Sequence, residues 1–481
     1  MHIVYLRRQR WGKGRISRSW NADFVDDTRR RLTMNFRWVG PVAVLLLAVV
    51  WISLGTSCDP CSSCSSTSKP TATPTSAPNT GLPSSSIAVL VQGTNATAYL
   101  PQGNWESGAA AVKVVPIETS AGIGMGGAPT TITTANIPNS CSSNSVTGQT
   151  VCVANNTDVY LINGTTLTNT LTDGASGEES FSGGDCMTCG VVVDSNTNRA
   201  LVTIGVTTDG REQGVTDQTF MDQTGTLQNG EGEDEGAYQF LDLGGTPAFE
   251  SPIPAGGETS EDVSIDPFRH LVLSPNEQSN YQIVNISKST PVLYNNEIED
   301  GELDSAAEDS TTGIALSTVE GTGDLFIADL TQAKFSSGTW TDTGSQLSNF
   351  PEFEALSAGT CGIAVAPGTH LAVVSGEFGG DIEGVVQLPS TSGSGVPAVV
   401  DYAAFEVPAP PTEEDWSQGF DPHTVTSYVS PNTKKAYAVF ENGDFSYLAL
   451  VDIQAMLSAP RTGAHTVTNP IPAGIVTFIA E

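Results

Sequence analysis

Cysteine, histidine and carboxylate side chains recur at one place in a repeating pattern. Cys189, Glu261, Thr312, Cys361 and His423 each stand two residues before an apolar segment, starting at Val191, Val263, Ile314, Ile363 and Val425 respectively. Glu258, Asp262, Asp309 and Asp421 lie close to the same points. Thiolate, imidazole and carboxylate groups are the ligands of divalent metals, and a metal with an open position activates water for hydrolysis. The same groups also serve as a polar lining that satisfies strand ends around a water-filled funnel. The lining is the preferred reading, with a metal site as its alternative. Either requires the five apolar segments to converge on one channel mouth.

The elements that would bring them together are short strands. Val425–Ile453 reads as three of them, Thr426–Val429, Ala436–Phe440 and Phe445–Ile453, with Pro, Asn and Gly in the turns. The same order returns in Val263–Ile286, in Val191–Gly205 and in Ile363–Leu388, with Arg199, His270, His370 and Lys435 each placed just before the second strand. Repetition of one antiparallel unit implies an all-β chain folded as a β-propeller. Five clear units and two weaker ones, at Ile87–Glu118 and Thr150–Leu171, give seven blades, with six or eight as neighbouring counts. A β-sandwich, or two smaller β domains, is the competing fold. Inner strands are expected to start at Val191, Val263, Ile314, Ile363, Val425 and Ile475. The last of these, Ile475–Ile479, is expected to pair beside Ile87–Gln92 and close the ring. The acidic stretches Thr207–Gly236 and Glu297–Asp309 read as loops; a Ca2+ or other divalent ion is the only cofactor they suggest.

In an exported chain a pair of nearby cysteines is expected to be oxidised, with unpaired buried thiols as the alternative. Cys141 and Cys152 flank a polar loop and are expected to form a disulfide that staples a surface hairpin. Cys186 and Cys189 lie between an acidic Gly-rich turn and a strand, without the positive surroundings of a redox pair. A structural disulfide, or a Cys189–Cys361 link, is the more natural use. Cys61 and Cys64 lack the histidines or second CxxC of a zinc site. A c-type haem motif, a G-x-S-x-G elbow, a P-loop and a dinucleotide fingerprint are all missing.

Charge and the N-terminus give an address. From Cys58 onward the chain holds 50 Asp and Glu against ten Lys and Arg, a formal net charge of −40. Such a surface repels polyanions and excludes nucleic acid as a partner. Trp38–Leu54 is an apolar run behind Arg29–Arg31 and Arg37, and it breaks into a small-residue exit at Gly55–Cys58. That is the form of a secretory signal, with Met34 as a start of ordinary length and a retained helix as the alternative. Residues 1–57 are thus read as signal, 58–84 as a Ser/Thr/Pro-rich tether and 85–481 as the propeller.

Two resemblances sharpen this reading. LGTSC is similar to a bacterial lipoprotein cleavage box, which implies lipidation of Cys58; Ser57 fits it and Gly55 departs from it. SYVSPNTKKAYAVF and VVVDSNTNRALVTI resemble the YVTN or YncE-like propellers over about 191–480, although the Pro-Asp-Gly turn common there is absent. The resemblance implies an extracytoplasmic binding or scaffold protein. The expected function is therefore a lipid-anchored propeller of the bacterial cell envelope, facing periplasm or exterior, that binds a protein or glycan. The alternative is a metal-dependent, lactonase-like hydrolase working at the channel mouth.

Overall fold

The strands of the repeats are short, nearly continuous apolar runs such as VVVD, RALVTI and AYAVFE, a pattern that suits strands buried on both faces. The computed structural model describes residues 87–104, 109–124, 126–154, 158–172, 190–204, 237–251, 253–254, 263–276, 280–287, 293–297, 302–320, 324–332, 345–347, 359–377, 382–391, 399–407, 424–441, 447–462, 466–467 and 476–480. They belong to one unit spanning Cys61–Glu481.

Their strands form seven sheets. The first holds β1 (Ala88–Gln92), β2 (Asn95–Asn104) and β3 (Ala109–Thr119), with β4 (Gly122–Ile123) and β5 (Thr130–Thr133) both on β3. The second is β6 (Pro138–Asn144), β7 (Gln149–Ala154), β8 (Asp158–Asn163) and β9 (Thr166–Thr172). The third is β10 (Val191–Asp194), β11 (Arg199–Ile204) and β12 (Ala237–Asp242), with β13 (Ala248–Phe249) and β14 (Ile253–Pro254) on β12. The fourth is β15 (Ser264–Asp266), β16 (Leu271–Asn276), β17 (Asn280–Asn285) and β18 (Leu293–Glu297). The fifth is β19 (Glu302–Asp309), β20 (Ile314–Glu320), β21 (Asp324–Asp329) and β22 (Ser345–Leu347). The sixth is β23 (Gly359–Ala366), β24 (Leu371–Glu377), β25 (Ile382–Gln387) and β26 (Asp401–Glu406). The seventh begins with β27 (Thr424–Val429), β28 (Ala436–Glu441) and β29 (Tyr447–Asp452). The chain then forms α1 (Ile453–Leu457), β30 (Arg461–Thr462), β31 (Thr466–Val467) and β32 (Val476–Ala480).

Packing turns these sheets into a ring. On β7, Val151 and Val153 point into a cluster with Val191 and Val193 of the third sheet, while Cys152 and Ala154 point back to Leu90 and Tyr99 of the first. Every blade divides its two faces in this way, so seven apolar clusters fill the seven seams between successive sheets. The seventh seam joins Tyr428, Tyr437, Val439 and Leu450 to Val89, Ala98, Leu100 and Ile117. The protein is a seven-bladed β-propeller.

The ring closes differently from the sequence expectation. Among the described residues Val476–Ala480 is the outermost strand of the seventh sheet, paired to β29, and the first sheet is built from its own strands. Closure rests on the faces of two complete sheets. The fifth blade also departs from its expected register: Ile314 opens the second strand, and the inner strand is the acidic stretch read as a loop. Its acids are accommodated because Glu308 accepts from Ser264 of the neighbouring inner strand and Asp309 caps the following turn, while Leu303, Ala306 and Ala307 face apolar neighbours. Likewise β6, sequence PNSCSSN, is an inner strand whose Ser140 and Ser142 hydroxyls accept from Val191 N–H and Val193 N–H. The Cys141–Cys152 disulfide forms as expected between directly opposed residues, with Cα atoms 4.0 Å apart. It is wholly buried, however, in the seam between the first two blades.

Candidate functional site

The turn between inner and second strands recurs with one chemistry. Its first residue accepts backbone N–H groups further along: Asn144 from Val146 and Thr147, Asp194 from Asn196, Asp266 from Phe268 and Arg269, Asp309 from Thr311, and Ser430 from Asn432 and Thr433. Short polar side chains favour this capping. The last turn residue is left-handed, at Gly148, Asn198, His270, Gly313, His370 and Lys434. The equivalent residues are therefore Asn198 and Lys434; Arg199 already belongs to β11, and Lys435 sits one place beyond the turn. At Gly148 the left-handed backbone is what favours glycine, since a Cβ would meet only the movable end of the exposed Gln92 side chain.

These turns lie on one face of the ring and bond to one another in sequence. Asn144 Nδ2 donates to Asn198 Oδ1 at 2.7 Å, and Asn196 Nδ2 to the Pro267 carbonyl at 2.8 Å. Arg269, ion-paired to Asp266, also donates to the Ser310 carbonyl. His270 Nδ1 reaches Asp194 Oδ2 at 2.8 Å, and His370 Nδ1 reaches Asp309 Oδ2 at 2.5 Å. Burial pushes the Asp266 carboxyl up, against the pull of Arg269. At the closing seam Glu118 Oε1 accepts from Ser430 Oγ at 2.6 Å and from Asn432 Nδ2 at 2.8 Å. Asn432 Nδ2 also donates to the carbonyls of Thr94 and Thr119. Where the pattern would place a capping acid in the sixth blade there is Ala366. That blade is held to the seventh by a strap instead. Asp452 caps α1 through Ala455 N–H, and β31 adds in parallel to β26 of the sixth sheet. Arg461 then clamps Asp401 through both amino groups and donates to the Tyr402 and Leu457 carbonyls.

Each inner strand ends at this turn face, so its start lies at the opposite mouth of the channel. Asp309 is the last residue of β19, buried and committed to Thr311 and His370. Thr312 is in the same turn, with its hydroxyl directed at the Asp309 carbonyl. Cys361 lies near the start of β23, so it and Asp309 occupy opposite ends of their strands, roughly 15 Å apart along the strand direction. Hairpin register makes Asp304, in β19, the counterpart of Cys361. Cys189, Glu261, Asp421 and His423 fall outside the described residues, as do Glu258, Asp262, Cys186, Cys58, Cys61 and Cys64. Among the described residues there is no group of three or more His, Cys, Asp and Glu able to hold a metal ion.

What the sequence reading missed is the sidedness of the surface. Among the described residues the exposed large apolar side chains are Val146, Phe268 and Val400, at 67%, 49% and 62% exposure. Val146 and Phe268 occupy inner turns of the second and fourth blades, and Val400 immediately precedes β26 in the sixth, so all three lie on the turn face. Arg269, Lys434 and Lys435 lie there too. A composition count by connection, rather than by chain, would have revealed this.

No known family profile matches the chain, and no curated protein matches it by sequence. Solved structures it is similar to include a chain of the mitotic checkpoint complex, at 10% identity, with a TM-score of 0.44 over 74% of this chain and 84% of that one. Another is the β-propeller domain of Cps50 (Swd1) from Myceliophteria thermophila, at 8% identity, with a TM-score of 0.46 over 75% of this chain and 94% of that one. Neither likeness bears on what this chain binds.

Proposed function

We propose that the chain is a membrane-tethered, extracytoplasmic binding propeller whose partner is a cationic protein segment. The observation that carries this is charge segregation by connection. Residues 173–190, 205–236 and 407–423 join strands that end on the face opposite the turns, and together they hold sixteen Asp and Glu against one Arg, Arg211. A field of one sign on one side of a rigid ring raises the local concentration and the association rate of an oppositely charged partner. The address is supported by the apolar run before Cys58 and by the Cys141–Cys152 disulfide, since such bonds persist in oxidising compartments. Similarity of the repeats to YVTN or YncE-like propellers points the same way.

The test is binding of a fluorescent decalysine peptide, followed by anisotropy, to the chain from residue 58 onward. Neutralising Glu231, Glu233, Asp234 and Glu235 to amides should weaken it at least about fivefold, and affinity should fall steeply with salt. Equal binding of decaglutamate, or indifference to both changes, would overturn the reading. Mass spectrometry of the mature N-terminus checks the address: an acylated Cys58 is expected, and an unmodified terminus elsewhere would contradict it.

A further inference from the structure

We propose that the turn face of the propeller is a membrane-docking face that rests on an anionic lipid surface. The proposal deepens the tethered reading above and relies on it for proximity to a bilayer. The three exposed apolar side chains, Val146, Phe268 and Val400, come from the second, fourth and sixth blades and project from the same side. Pegs spread around a ring and sharing one side fit an extended plane better than a compact protein knob. Three acids of this face, Asp194, Asp266 and Asp309, are buried and consumed in capping their own turns, while Asp242 stays exposed and Asp401 is 41% exposed, paired to Arg461. Lys435 is 55% exposed even while paired to Asp452, and Lys434 stands exposed beside it; Arg269 adjoins Phe268 and is paired to Asp266.

Apolar residues flanked by Lys and Arg are the composition that seats a surface in the headgroup region, with cations on anionic lipid and apolar tips below. The remainder of the protein is strongly acidic and is repelled by the same lipid, which orients the ring. A weak contact is sufficient, because a tether holds the domain at high effective concentration near the bilayer.

The experiment uses the chain from residue 58 onward carrying Phe268→Trp, held by an N-terminal hexahistidine tag to vesicles of phosphatidylcholine with about 30% phosphatidylglycerol and a nickel-chelating lipid. Emission of the native tryptophans is subtracted with the tethered parent. Quenching of the introduced indole by acyl-brominated lipid is expected, together with a loss of its iodide accessibility of at least about threefold. Val146→Glu and Lys434→Glu should each restore iodide access. Equal accessibility on and off the vesicles would overturn the proposal. So would protection that appears without vesicles, which would assign the face to a second copy of the chain, or protection that ignores both substitutions. The tether here is artificial, so an unmodified Cys58 in the native protein would refute the natural anchor while leaving this result to stand.

Discussion

Replacing Glu118 tests how the ring is closed. Its buried carboxylate joins the first blade to the last, accepting from Ser430 and Asn432 across 312 and 314 residues of chain. A hydrogen bond to a charged acceptor contributes about 1.5–3 kcal/mol, and losing two is offset in part by relief of the carboxylate's desolvation. Glu118→Ala should therefore cost about 2–4 kcal/mol. Glu118→Gln keeps an acceptor at the same place and should cost less than half as much. Urea unfolding, followed by tryptophan emission and far-UV dichroism, gives the midpoints. Asn432→Ala removes the partner and its bonds to the Thr94 and Thr119 carbonyls as well, so a double-mutant cycle isolates the contact. A coupling of about 1–3 kcal/mol is expected across the seam. The same cycle between Glu118 and Asp401, which lies in the sixth blade, should give none. If the Glu118–Asn432 coupling falls below about 0.5 kcal/mol, the polar latch contributes nothing and apolar packing alone closes the ring.

Deleting 476–481 should strip one edge strand and leave the closing seam intact, so it should destabilise less than Leu450→Ala, which opens a cavity inside that seam and costs about 2–5 kcal/mol. Reduction, or Cys141→Ser with Cys152→Ser, should cost about 2–3 kcal/mol for a cross-link spanning 11 residues, and non-reducing peptide maps should recover the pair linked. Arg461→Ala should raise hydrogen exchange at β30 and β31 at least about tenfold while β27 and β28 stay protected, because it frees the strap and not the blade. Alkaline stability should fall in a defined window. Burial raises the phenols of Tyr99 and Tyr428, with nearby Glu118 adding to the second, and pushes Tyr160 up to about 12. The unfolded chain ionises first, near 10, so the stabilisation is complete below that pH and is lost as pH rises toward 12. Absorbance at the tyrosinate band should show these groups silent until unfolding begins.

The repeats made the architecture readable from the chain alone. The short apolar runs bounded by turn residues in VVVDSNTNRALVTI and SYVSPNTKKAYAVF are local, and a strand buried on both faces needs nothing else to announce itself. Cys141 and Cys152 were legible for the same reason, since a hairpin sets its own register. Inner strands were harder. In PNSCSSN and ELDSAAED the polar groups find their partners on other blades, as Ser142 does with Val193 N–H and Glu308 with Ser264. A sequence window cannot contain those partners, so it reads such strands as loops. Closure was hidden likewise, because face packing between Tyr428 and Leu100 leaves no mark in either segment. Sequence by itself determined the repeat, its strand content and its charge. Which residues share a face was decided by the ring, because topology sends every inner turn to one side and places Val146, Phe268 and Val400 together there, far apart along the chain.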